Sequence, residues 1–178
     1  MKEAKIVRPT KQVMGVEPKV GDEWDAGYVP HGNAFRRVRV TVRKDAEDQW
    51  TIYCVAYKGA ETLSKRALHA LNCETCAKAF ALCLVFGKDY AVCDVHESDK
   101  IDEVALFDGT VAMLCSAMGI KNWDALDGGS KARILWAARQ IVDGQLDWQK
   151  AINAWERTEQ KGLSLNAAIR YWDAEMRW

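Results

Sequence analysis

The sequence predicts an α+β protein: a β-hairpin region first, a cysteine-rich centre next, and a bundle of short helices at the end. Three observations lead there. Between residues 37 and 57 apolar side chains recur every second residue, as in a half-buried strand. From residue 99 onward they recur at helical spacing. Between these stretches lie paired cysteines.

Residues 1–34 hold all three prolines, Pro9, Pro18 and Pro30. They read as loosely structured, with short strands at Gln12–Val16 and Glu23–Val29. Val38, Val40 and Val42 then alternate with Arg37, Arg39, Thr41 and Arg43, which predicts a strand with a basic outer face. Residues 45–48 (Asp-Ala-Glu-Asp) read as a turn, and Trp50 to Tyr57 as the returning strand. From Glu61 to Leu71, residues Leu63, Ala67, Leu68 and Leu71 share a helical face, so the spacing predicts a helix. A second helix is predicted from Asp99 to Met118, with a stripe of Ile101, Val104, Ala105, Val111, Leu114, Cys115 and Met118. Ser98 or Asp99 would cap it and Gly119 end it. In the last fifty residues Ser130, Asp147 and Ser164 read as N-caps. Each precedes an Ala-x-x-x-Trp pair: Ala132 with Trp136, Ala151 with Trp155, and Ala168 with Trp172. The chain thus divides into a β-rich region over 1–60, a cysteine-rich segment with flanking helices over 61–119 and a helical region over 120–178. These can share one compact domain.

Composition narrows the class. With 49% hydrophobic and 28% charged residues the chain can bury a core, unlike a disordered segment. No run of eighteen apolar residues predicts a membrane span. The polar start, MKEAKIVRPTKQ, lacks the apolar stretch of a secretory signal, so a cytoplasmic location is expected, host cytoplasm if the source is viral. In such a reducing compartment six cysteines point to metal, chemistry or core rather than disulfides. Net charge is zero but uneven. Residues 1–44 hold 10 Lys/Arg against 5 Asp/Glu, and residues 73–128 hold 4 against 10.

Cys73-Glu74-Thr75-Cys76 is followed, after sixteen residues, by Cys93-Asp94-Val95-His96. Zinc takes four such ligands in a tetrahedron, and two intervening residues let both members of a pair face one ion. Cys73, Cys76, Cys93 and His96 are therefore the candidate ligands of one structural zinc ion. Cys83 is a substitute, and Cys54 and Cys115 read as core.

The stretch CETCAKAF resembles a zinc knuckle, with Ala77 where knuckles often carry glycine. A hairpin from Phe80 to Cys93 around Gly87-Lys88-Asp89, and a ligand pair near a helix start, complete an order that resembles the treble-clef class of zinc modules. The resemblance covers about residues 72–108. It implies a central knuckle-hairpin-helix, a structural zinc and a binding role, and names no partner. A competing reading exists. Cys73, Cys76, Phe80, Cys83 and Leu84 also have helical spacing, so a helix from Glu61 could run through Phe86 with its cysteines in the core.

Arg37, Arg39 and Arg43, with Tyr53 and Tyr57 on the partner strand, form a candidate nucleic-acid surface. The alternative is a solvated face balanced by Asp45, Glu47 and Asp48. KGLSLNAAIRYW resembles the turn and second helix of a helix-turn-helix, with Asn166 and Arg170 reaching outward. A plain helical hairpin has the same pattern. Trp123 and Trp178 are the tryptophans expected to be exposed. His31 and His69 have no evident catalytic partner, and neither a G-x-S-x-G motif nor a phosphate loop is present.

The reading that results is a non-catalytic zinc-stabilised binding protein acting through a protein partner. A small phage-encoded inhibitor or accessory protein fits that description. The alternative is a nucleic-acid-binding regulator that uses the basic strand or the C-terminal helices.

Overall fold

The structure is a computed structural model that describes residues 5–6, 18–29, 36–86, 90–91 and 102–177. The chain is α+β: among the described residues, a four-stranded antiparallel sheet is followed by five α-helices. A two-residue strand β1 (Lys5–Ile6) pairs in parallel with β6 (Tyr90–Ala91). The main sheet has the order β2 (Glu23–Tyr28), β3 (Arg36–Ala46), β4 (Gln49–Lys58), β5 (Glu61–Leu71). The strand expected at Gln12–Val16 lies outside the described residues.

The period-two pattern does what it predicts. Val38, Val40 and Val42 of β3 and Ile52, Cys54 and Ala56 of β4 turn inward and are buried. Their inner face is covered by α1 (Glu74–Phe86) and α2 (Glu103–Met118). The helices α3 (Gly128–Val142), α4 (Trp148–Glu159) and α5 (Leu165–Met176) pack beyond α2. One connected cluster of buried side chains runs from Val29 through α1 and α2 to Met176. Where α2 crosses α1, Gly109 gives Leu84 its space: a Cβ there would stand 3.3 Å from the Leu84 side chain.

Four expectations are corrected. Glu61–Leu71 is a strand, not a helix. Two bulges in its pairing with β4 leave Leu63 and Leu68 as extra residues, and both pack on the core. Each bulge resets the alternation, and the resulting spacing of leucines imitates a helix. Phe80–Phe86, expected as a strand of a hairpin, belongs to α1. Nearly every residue from Thr75 to Val85 is buried, so the apolar run carries no one-sided stripe to betray a helix. The next helix begins at Glu103, not Asp99. The Asp102 carboxylate caps it by accepting from the Val104 and Ala105 amides, and Val104, expected inside, is 68% exposed. Its expected end is correct, with Gly119 at φ 74° closing the helix. Asp127, not Ser130, caps α3: its carboxylate accepts from the Ser130 amide at 2.7 Å, and that bond holds its pKa below the ordinary range. Asp147 caps α4 as expected, and Ser164 precedes α5 without a side-chain cap bond.

The tryptophans of α4 and α5 carry the helical end. Trp155 and Trp172 meet edge to face at 6.3 Å, and the Trp172 indole donates to the Ala151 carbonyl at 2.9 Å. Trp148 donates to the Leu84 carbonyl at 2.9 Å, tying α4 to α1 inside the core. Trp123, expected exposed, is half-buried against the cluster, and Trp178 lies outside the described residues.

Replacing Trp148 by Phe keeps most of the packing and removes the Leu84 bond. The expected loss is about 1–3 kcal/mol of unfolding free energy. Trp148→Ala adds a cavity and should lose about 3–5 kcal/mol, read by urea denaturation.

Candidate functional site

The register of β3 with its neighbours fixes what shares the outer face of the sheet. Arg37 lies opposite Tyr57, Arg39 opposite Val55, Thr41 opposite Tyr53 and Arg43 opposite Thr51. On the other side β2 places Tyr28 beside Arg39, Asp25 beside Thr41 and Glu23 beside Arg43. Lys65 of β5 completes the row of Val55. The three arginines and two tyrosines singled out in the sequence therefore stand together. Tyr28 and Lys65 join them; only their pairing partners, set by the two bulges, put them there.

This face is not simply basic. Glu23 accepts from the Thr41 hydroxyl at 2.6 Å. Asp45 meets Arg43 at 3.2 Å and accepts from the Tyr53 hydroxyl at 2.6 Å. Arg39 lies 3.9 Å from Asp25. Glu47, expected to balance this face, pairs instead with the buried Lys44 at 3.2 Å. The remaining cations lie over rings: Lys65 over Tyr53 at 5.0 Å, and Arg37 over both Tyr28 at 4.9 Å and Tyr57 at 5.2 Å. Such stacking orients a cation and leaves its charge uncancelled.

Of the described cysteines, Cys54, Cys76, Cys83 and Cys115 are buried and Cys73 is half-buried. Cys54 and Cys115 are core, as expected, and burial raises both pKa values, that of Cys115 to about 11. Both are therefore neutral thiols near neutral pH. Cys73 stands immediately before α1, its carbonyl accepting from the Ala77 amide at 3.0 Å, and Cys76 lies in the first turn. Residues three apart across a helix start share a face, close enough for two sulfurs to meet one ion. Cys83 cannot substitute: it is two turns, about 10 Å, beyond Cys76 along α1 and packs in the main core cluster. Cys93 and His96 lie outside the described residues, and among the described residues no three potential ligands cluster.

The C-terminal pair of helices is a hairpin with Gly162 at φ 64° in the turn. Arg170 is exposed, as expected, whereas Asn166 is half-buried. The Asn166 side chain accepts from the Asp127 amide at 3.2 Å, and Arg170 lies 3.9 Å from the Asp127 carboxylate. Thr158 is buried and bonds back to the Ala154 carbonyl at 2.8 Å. His69 stacks near Phe80 at 5.2 Å, a packing role.

The Tyr53 hydrogen bond is the largest cause that lowers the Asp45 pKa, and the same bond raises that of Tyr53. A depressed folded pKa gives stability that is present above the unfolded value, about 4 for aspartate, and is lost as pH falls through the folded value. Tyr53→Phe should move the Asp45 pKa upward in an NMR titration and narrow the acid range over which the sheet persists. An unchanged Asp45 titration would show that Thr51, Arg43 and Lys65 set it without Tyr53.

No helix among the described residues is long and apolar enough to cross a membrane. No protein-family model, curated protein or solved structure matches the chain, so its function has to be argued from this geometry.

Proposed function

We propose that the chain is a non-catalytic binding protein that acts through a protein partner and is stabilised by one structural zinc ion held by Cys73, Cys76, Cys93 and His96. The observation that carries this reading is the position of Cys73 and Cys76 across the start of α1, where both sulfurs can face one ion. The strand that leads toward the other pair stays beside this helix: β6, which ends two residues before Cys93, contacts α1. Three thiolates and a neutral imidazole fill all four positions and leave no place for an activated water. The metal's role is then to hold the segment after α1 against that helix. A protein partner fits a surface on which arginines lie over tyrosines, two residue types enriched at protein interfaces. The reading extends to a small phage-encoded inhibitor or accessory protein.

The test begins with metal analysis of protein purified without added metal. About one zinc per chain is expected. Cys73→Ser and Cys93→Ser should lose it and Cys83→Ser should keep it, with chelator lowering the melting temperature of the native chain and of Cys83→Ser but not of the other two variants. Absence of metal, together with no chelator effect, would return all these cysteines to the core. Recovery of a stoichiometric protein complex from the native source supports the second half of the reading. Failure to form any complex sinks it.

A further inference from the structure

We propose that the outer face of the sheet is the docking surface and that it receives an acidic, extended segment of the partner protein, with carboxylates held by the terminal nitrogens of Arg37 and Arg39 between Tyr28 and Tyr57. This rests on the reading of the chain as a protein-binding one and names the chemistry of its partner.

Arg37 has no carboxylate within ion-pair distance among the described residues, and its described contacts are the Tyr28 and Tyr57 rings. Two rings hold the guanidinium in place before any ligand arrives, which lowers the entropy cost of recognition. Among the described residues the one carboxylate near Arg39 is Asp25, at 3.9 Å, and the guanidinium also lies over Tyr57 at 6.0 Å. The Nε groups of both arginines are covered and meet no acceptor, so the exposed terminal nitrogens are what a ligand reaches. The patch is open: Tyr28 is 37% exposed and the Arg39 side chain 31%.

Spacing and sign choose the occupant. Arg37 and Arg39 are two residues apart on one strand, about 7 Å, the distance at which alternate side chains recur along an extended peptide. A nucleic-acid strand carries a charge on every unit. On this face it would also have to pass Glu23, Asp25 and Asp45, and like charges there oppose it. A protein segment can put carboxylates over the two arginines and neutral or basic side chains over those acids.

The experiment measures binding to the full chain at low salt by fluorescence anisotropy. The probes are a labelled decapeptide with one Glu-Thr-Glu run followed by alternating threonine and lysine, its counterpart with both glutamates replaced by glutamine, and oligothymidylate of similar length. The glutamate peptide should bind and the glutamine peptide should not. In Arg37→Gln/Arg39→Gln the Kd should rise about tenfold or more, the size of one lost charge-assisted hydrogen bond. Arg37→Lys, which keeps the charge and loses the fork, should fall between. The same charge change at Lys121 and Lys131 should leave Kd within about twofold, as expected for distant sites. Matching melting temperatures of all variants establish that the fold is intact. If the glutamate peptide does not bind, or binds the arginine variants as well as the native chain, the inference is overturned and the partner must use another surface. Tighter binding of oligothymidylate, lost in the same variants, overturns both this inference and the protein-partner reading.

Discussion

The structure depends on α1 being buried between other elements. Its residues from Thr75 to Val85 are almost all shielded from water, the inner face of the sheet lies along one side of it, and α2 crosses it where Gly109 admits Leu84. The Trp148 indole then reaches the Leu84 carbonyl through the core. That bond is oriented by the cap before it: the Asp147 carboxylate accepts from the Gln149 amide and sets where α4 begins. A cap on the surface thus fixes an indole in the interior, and the indole ties the helical end to the layer that covers the sheet.

The same burial explains which parts of the fold were legible in the sequence. Strands β3 and β4 were, because one face meets the core and the other does not, so valines and arginines alternate without interruption. Helices α4 and α5 were, because each has one apolar stripe and a polar remainder. Strand β5 was misread because Leu63 and Leu68 sit in bulges, and two inserted residues turn a period of two into a spacing nearer that of a helix. The run from Phe80 to Phe86 was misread for the opposite reason. A helix buried on every side has no polar face, and its apolar residues are then indistinguishable from those of a buried strand. Helical spacing over the cysteine stretch thus corresponds to a real helix at Glu74–Phe86 and to a bulged strand at Glu61–Leu71.

The candidate sites differ in the same way. Arg37, Arg39, Arg43, Tyr53 and Tyr57 were visible as one face because alternation alone assigns them to it. The acids that temper that face were only half visible. Asp45 is adjacent in sequence, whereas Glu23 and Asp25 come from β2, whose register could be set only by pairing. Tyr28 is on the face because β2 carries its own bulge between Asp25 and Gly27. Without that bulge, residue 28 would point to the core and Arg37 would have one ring instead of two.

Metal and surface, finally, make separate demands on the chain. The α1 start that presents Cys73 and Cys76 belongs to the layer covering the inner face, whereas the arginines stand on the outer face with the sheet between them. A zinc ion at α1 would therefore not touch a ligand bound over Arg37. It would act by holding α1, and α1 in turn supports the valines whose register fixes Arg37 and Arg39 at their spacing. On the proposed reading the metal would contribute stability and the strand recognition. Loss of metal would weaken binding only to the extent that it loosens the sheet.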